Sequence, residues 1–253
     1  MMSKIIVRAD DLGYSKGINL GIAETVHNGI IKNVGVMVNM PETKNGLNLL
    51  KNDNICLGLH TNICAGYPLT NPKLIPSLTN SDGSFIKSKV FRESNTDLVN
   101  LDEVVLEIEA QYKKFVELVG EKPGYFEGHA VSSNNFIKGL SIVAQRHNLN
   151  FLGLPNWPES DAIKFKNTHL HAIMDSMGEN YNPYKTLKKA ALKTYNDNSY
   201  SMMICHPGYL DDYILNHSSL TIPRTQEVAM LTDSKVKEWL NDNKIELIKY
   251  TDL

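Results

Sequence analysis

A chain of 253 residues, 42% hydrophobic, is long enough for one large core, and a formal charge of −2 argues against nucleic-acid or anionic-membrane partners. No apolar stretch approaches the roughly 20 residues that span a bilayer, and no secretory segment opens the chain. Three scattered cysteines, Cys56, Cys64 and Cys205, suit free thiols in a reducing cytoplasm better than a disulfide framework.

Ile5 to Val7 read as a buried strand that runs into two adjacent carboxylates, Asp10 and Asp11, before the turn at Gly13. Ser15 is placed to cap a helix with apolar positions Ile18, Ile22 and Val26, ended by Gly29. Val34 to Val38 predict a second strand, and a short helix is expected to start near Pro41. Ile55 to Leu59 predict a third strand with His60 at its end. Residues 61–100 carry Pro68, Pro72, Pro76 and Gly83 with little periodicity, and a loop of that length points to a lid or substrate wall. Asp102 is the expected cap of a strongly amphipathic helix through Val105, Ile108, Tyr112, Phe115 and Val119, stopped by Gly120 and Pro123. Tyr125 to Glu127 predict a strand followed by His129. A helix is expected over Phe136 to His147, then a strand at Phe151-Leu152. Residues 153–183 read as irregular. Tyr184 to Tyr195 read as a helix whose lysines form a solvated face. Tyr200 to Cys205 predict a strand ending at His206, Thr225 the cap of a last helix through Trp239, and Ile245 to Ile248 a closing strand. With no repeat or linker, this alternation predicts an α/β fold: a distorted or incomplete TIM-like β/α barrel, one domain over residues 1–253.

Four features share one position. Asp10 with Asp11, His60, His129 and His206 each follow a short apolar run, and parallel strands present their C-terminal ends on one face. A capping residue beside a surface residue would also give the Asp-Asp pair, but three histidines in the same position favour a common site. A carboxylate with two imidazoles leaves positions open for water, the arrangement of a catalytic metal centre. His169, His171 and His217 lie in loop-like sequence and receive no role, and Cys205 reads as a buried thiol facing away from His206.

Several blocks resemble the YdjC-like carbohydrate deacetylases, a family that includes chitooligosaccharide deacetylases. They are Ala9-Asp10-Asp11-Leu12-Gly13 with Ser15-Lys16-Gly17, Gly58-Leu59-His60, Lys122-Pro123 leading to His129, Cys205-His206-Pro207, and Pro223-Arg224-Thr225 with Glu227. The resemblance spans nearly the whole chain. It implies a distorted β/α barrel and a hydrolase that removes acetyl groups from N-acetylated sugars of the diacetylchitobiose type, with water activated at one divalent metal ion, magnesium or zinc. The ligands it implies are His60, His129 and one carboxylate of the pair. We assign Asp11 to the ion and Asp10 to the catalytic base, roles that could be exchanged, and His206 to protonation of the leaving amine. Arg224 with Glu227 would orient a catalytic carboxylate, or would form a surface ion pair at a helix start. Tyr67, Trp157 and Tyr209 are candidates for stacking on sugar faces. The run Glu127-Gly128-His129-Ala130-Val131-Ser132 departs from the family, which usually has aspartate first and further histidines last. The expected partner is a small N-acetylated saccharide, with a homodimer open and neither nucleic acid nor membrane involved. The alternatives are a metal-dependent phosphoesterase on a similar barrel and a catalytically silent carbohydrate binder.

Overall fold

The alternation of short apolar runs with amphipathic stretches produces alternating strands and helices. The computed structural model describes residues 3–153, 162–195 and 197–253. In chain order the elements are β1 (Ser3–Leu12), α1 (Lys16–His27), β2 (Asn33–Val36), α2 (Thr43–Leu49), β3 (Cys56–Thr61), α3 (Ser88–Glu93), α4 (Leu101–Val119), β4 (Phe126–Gly128) and α5 (Asn134–His147). There follow β5 (Ile163–Phe165), β6 (Thr168–Ile173), α6 (Pro183–Leu192), β7 (Ser199–Cys205), α7 (Asp212–His217), α8 (Ile222–Thr232), α9 (Ser234–Asp242) and β8 (Ile245–Leu247). They gather into two compact units. The first holds the described parts of residues 1–35, 41–57 and 161–253, the second those of residues 36–40 and 58–160.

In the first unit β1 pairs in parallel with β7, from Ile5↔Ser201 to Ala9↔Cys205, and with β8, from Ser3↔Ile245 to Ile5↔Leu247. β6 adds in parallel to β7 and β5 pairs antiparallel with β6, giving the order β2–β1–β7–β6–β5 with β8 as a further partner of β1 off that path. A strand flanked on both sides and covered on both faces needs a continuous apolar run, and Ile5, Ile6 and Val7 are all buried. Helix α1 starts where expected, because Ser15 Oγ accepts the Ile18 N–H at 3.2 Å. Its glycines permit an unusually close approach: a Cβ on Gly21 would stand 2.4 Å from Gly208 Cα, and one on Gly17 2.4 Å from the Tyr209 carbonyl oxygen.

In the second unit β3 and β4 pair in parallel through Leu59↔Phe126, His60↔Glu127 and Thr61↔Gly128. Gly58 lies under the Tyr125 ring, where an added Cβ would come within 2.3 Å of a ring carbon. Helix α4 buries Val104, Val105, Ile108, Tyr112 and Phe115. Its cap is Asn100, whose side chain accepts from the Asp102 and Glu103 N–H groups, so Asp102 is the second helical residue and not the cap. Gly120 ends it at φ 88, a left-handed position. Phe151 forms only an isolated bridge to Phe126.

Other expectations also fail locally. Residues 153–183 are not irregular throughout: β5 and β6 form a hairpin with Lys166 at φ 51, so His169 and His171 lie on a strand. The expected single last helix is two, α8 and α9, parted at Asp233, whose carboxylate caps the second by accepting from Lys235 N–H. α8 starts after Thr221, and Thr225 sits inside it, its hydroxyl bonded back to the Ile222 carbonyl. Among the described residues no helix is long and apolar enough to cross a membrane.

Candidate active site

Because β1 and β7 run in parallel with Ala9 opposite Cys205, Asp10, Asp11 and His206 share one edge of the first unit. The strand continues to Leu12, so both carboxylates lie within its last three residues and do not follow it. Both are buried, at 1% and 0% exposure, and each has a guanidinium partner. Arg8 Nη2 donates to Asp10 Oδ2 at 2.7 Å, and Arg224 Nη2 donates to Asp11 Oδ2 at 2.7 Å. Burial of a carboxylate is tolerable when it is paired in this way. Regular strand backbone would send Asp10 and Asp11 to opposite faces. Asp11 instead takes φ 80, a left-handed conformation that costs a non-glycine residue about 1–2 kcal/mol and concentrates at functional sites.

Arg224 and Glu227, one turn apart on α8, are both buried, which excludes a surface ion pair. They clamp the main chain of His206. Glu227 Oε2 accepts the His206 N–H at 2.6 Å, and Arg224 Nη1 donates to the His206 carbonyl at 3.3 Å. Tyr181 donates its hydroxyl to Glu227 Oε1 at 2.7 Å. Burial pushes the Glu227 carboxyl up from 4.5 to about 7, against the opposing pull of the Tyr181 and His206 hydrogen bonds and of Arg224. Cys205 is buried as expected, and loss of hydration raises its thiol well above the ordinary range, which removes it as a nucleophile.

In the second unit, His60 is the penultimate residue of β3 and lies opposite Glu127 of β4. Glu127 holds His60 Nδ1. A carboxylate on one ring nitrogen fixes the tautomer and leaves the other nitrogen's lone pair for a cation, the usual support of a metal-binding histidine. That other nitrogen, His60 Nε2, lies 2.8 Å from His129 Nδ1. His129 follows β4, held by its N–H to the Thr61 carbonyl at 2.8 Å, and Ala130 turns the chain away at φ 51. Acidic and histidine groups able to hold a metal ion are thus present, with two imidazole nitrogens side by side and a buried carboxylate behind one of them.

The stacking candidates fare differently. Tyr67 and Tyr209 are exposed, and Trp157 lies outside the described residues. Sequence reasoning missed Arg8 and Tyr181. The signal for Arg8 was available, since residues two apart on a strand share a face and Arg8 precedes Asp10 by two. Nothing local marks Tyr181.

A family model described as YdjC-like protein matches residues 4–242. A protein of Listeria innocua named carbohydrate deacetylase 2 is 32% identical over 257 residues, covering 99% of this chain and 98% of its own. A carbohydrate deacetylase of Clostridium beijerinckii is also 32% identical, covering 99% of this chain and all of its own length (100%). A solved structure from Enterococcus faecalis, named for cellobiose-phosphate cleavage, superposes with a TM-score of 0.82 at 21% identity, over 100% of this chain and 99% of that one. That likeness bears out the expected fold class. A family 4 acetyl xylan esterase from Clostridium thermocellum, solved with a cobalt ion, gives a TM-score of 0.52 at 10% identity over 99% and 89% of the two chains. With the family model matching residues 4–242, almost the whole chain, and relatives about a third identical from end to end, the chain belongs to the YdjC-like protein family.

Proposed function

We propose that the chain is a metal-dependent carbohydrate deacetylase that hydrolyses the acetamide of a small N-acetylated saccharide, of the chitooligosaccharide or diacetylchitobiose type, in the cytoplasm. The observation that carries the reading is Glu127 behind His60, with His129 Nδ1 alongside: a braced imidazole pair is built to hold a cation. Relatives named carbohydrate deacetylases, similar over their whole length, support the substrate class. Buried free cysteines suit a reducing compartment.

In this reading Asp11, His60 and His129 would hold one divalent ion. One oxygen and two nitrogen donors suit zinc and admit magnesium. When bound, such an ion supplies Lewis acidity to the acetyl carbonyl and makes water a stronger acid. Asp10 accepts the proton of the attacking water at Oδ1. Its Oδ2 is engaged by Arg8, whereas Oδ1 makes no hydrogen bond to any described residue. Arg224 neutralises Asp11 and fixes its carboxylate plane. His206 gives a proton to the departing sugar amine, its main chain held at both N–H and carbonyl so that the ring is delivered from a rigid base. General acid and base assistance of this kind is worth about 10²–10⁴ in rate.

Acetate release from diacetylchitobiose, measured before and after chelation and after return of zinc or magnesium, tests the reading. His60→Ala and His129→Ala should lose bound metal and turnover together, whereas His206→Ala should keep the ion and lose turnover. Full metal content in either of the first two variants would overturn the ligand set. Release of phosphate from esters without release of acetate would replace the deacetylase by a phosphoesterase.

A further inference from the structure

The main chain that leaves β3 just beyond His60 is tied down from beneath by buried polar groups. Leu69 and Thr70 donate their N–H groups to the two oxygens of Glu107, at 3.1 and 2.8 Å. Glu107 is fully buried on α4, and Gln111, one turn further on, donates to its Oε1 at 2.8 Å. Gln111 also forms a reciprocal pair with Asn62, donating to its carbonyl at 2.6 Å and accepting its N–H at 3.0 Å. Asn62 Oδ1 accepts from the Cys64 and Ala65 N–H groups, and Asn39 Nδ2 donates to the Tyr67 carbonyl at 3.0 Å. The Phe85 N–H reaches the Gly66 carbonyl at 2.9 Å.

Residues 62–70 are therefore held on both sides of Tyr67, yet the Tyr67 side chain is 61% exposed. Burying a carboxylate to hold surface main chain is costly, and exposing an aromatic ring on that main chain adds nothing to the core. A rigid support under an exposed ring is what ligand stacking requires, because the ring's position is settled before the ligand arrives.

We propose that Glu107, with Gln111 and Asn62, positions residues 62–70 as a rigid rim whose Tyr67 ring receives the apolar face of the substrate sugar. These buried groups set saccharide affinity without touching the saccharide. The identity of the ligand rests on the deacetylase reading above. Glu107 and Gln111 are positioning residues.

The test is a double-mutant cycle on full-length, metal-loaded enzyme with diacetylchitobiose, reading KM and kcat from acetate release and Kd from calorimetry. Tyr67→Ala should raise KM and Kd about tenfold with kcat within about threefold, and Tyr67→Phe should restore both. Glu107→Gln places an amide N–H against one of the two main-chain donors, and it should also raise KM about tenfold. The double variant should be no worse than Tyr67→Ala alone, since both act through one ring. Full additivity, or an unchanged KM in folded Glu107→Gln, would overturn the proposal. If Glu107→Gln fails to fold, Tyr67→Ala decides alone: unchanged KM and Kd would overturn it. Wild-type protein that binds the disaccharide without releasing acetate would sink the deacetylase reading only, because Kd still reads the cycle. Wild-type protein that binds no saccharide would sink both.

Discussion

Glu227→Gln isolates the cost of a buried charge. In the folded chain the Glu227 carboxyl titrates at about 7, against 4.5 when free, chiefly because burial strips its hydration. A carboxyl raised by folding takes up a proton on folding at any pH between those two values. Its contribution to stability is therefore complete below pH 4.5 and is lost as the pH rises through 7. The interval corresponds to about 3 kcal/mol, with a slope of at most about 1.4 kcal/mol per pH unit. Glutamine copies the protonated form. Its carbonyl can face the His206 N–H, and its amide can donate to the Tyr181 hydroxyl, which accepts as readily as it donates. Urea unfolding at pH 5, 6, 7 and 8, with chelator in every buffer, should give nearly equal stabilities for the two proteins at pH 5. By pH 8 the variant should lead by up to about 3 kcal/mol. Parallel stability curves across that range, with equal m-values, would refute the reasoning.

Arg224→Ala leaves Asp11 buried without its cation and should cost about 3–5 kcal/mol in the same unfolding assay; a loss under 1 kcal/mol would mean that the pair contributes little. Gly58→Ala drives a methyl group into the Tyr125 ring and should cost about 1–3 kcal/mol, recovered in part by Tyr125→Leu, and an unchanged melting temperature would show that the ring moves freely.

Much of the fold was legible because its signals are local. Ser15 caps α1, Gly120 takes the left-handed position that ends α4, and Ile5 to Val7 form the doubly flanked strand that their uninterrupted apolar run predicts. The placement of Asp10, Asp11 and His206 on one edge followed from parallel pairing alone, and β1 with β7 supplies it. What stayed hidden depends on partners distant in sequence. Only strand register puts Glu127 opposite His60, and only the packing of α8 shows Arg224 and Glu227 as buried clamps on His206. The β5–β6 hairpin escaped notice because its turn uses Lys166 at φ 51, where Asn-Gly would have announced it.

The contact between Gly21 and Gly208 has a bearing on how this scaffold could diversify. Backbone meets backbone there, so no side chain remains to be trimmed or rotated in compensation, and any substituent at position 21 must push α1 and the stretch after His206 apart. Attempts to remodel this edge by loosening that stretch would displace His206, the proposed proton donor, together with the helix. Variation that spares the chemistry has to be sought where side chains, and not main chains, form the boundary.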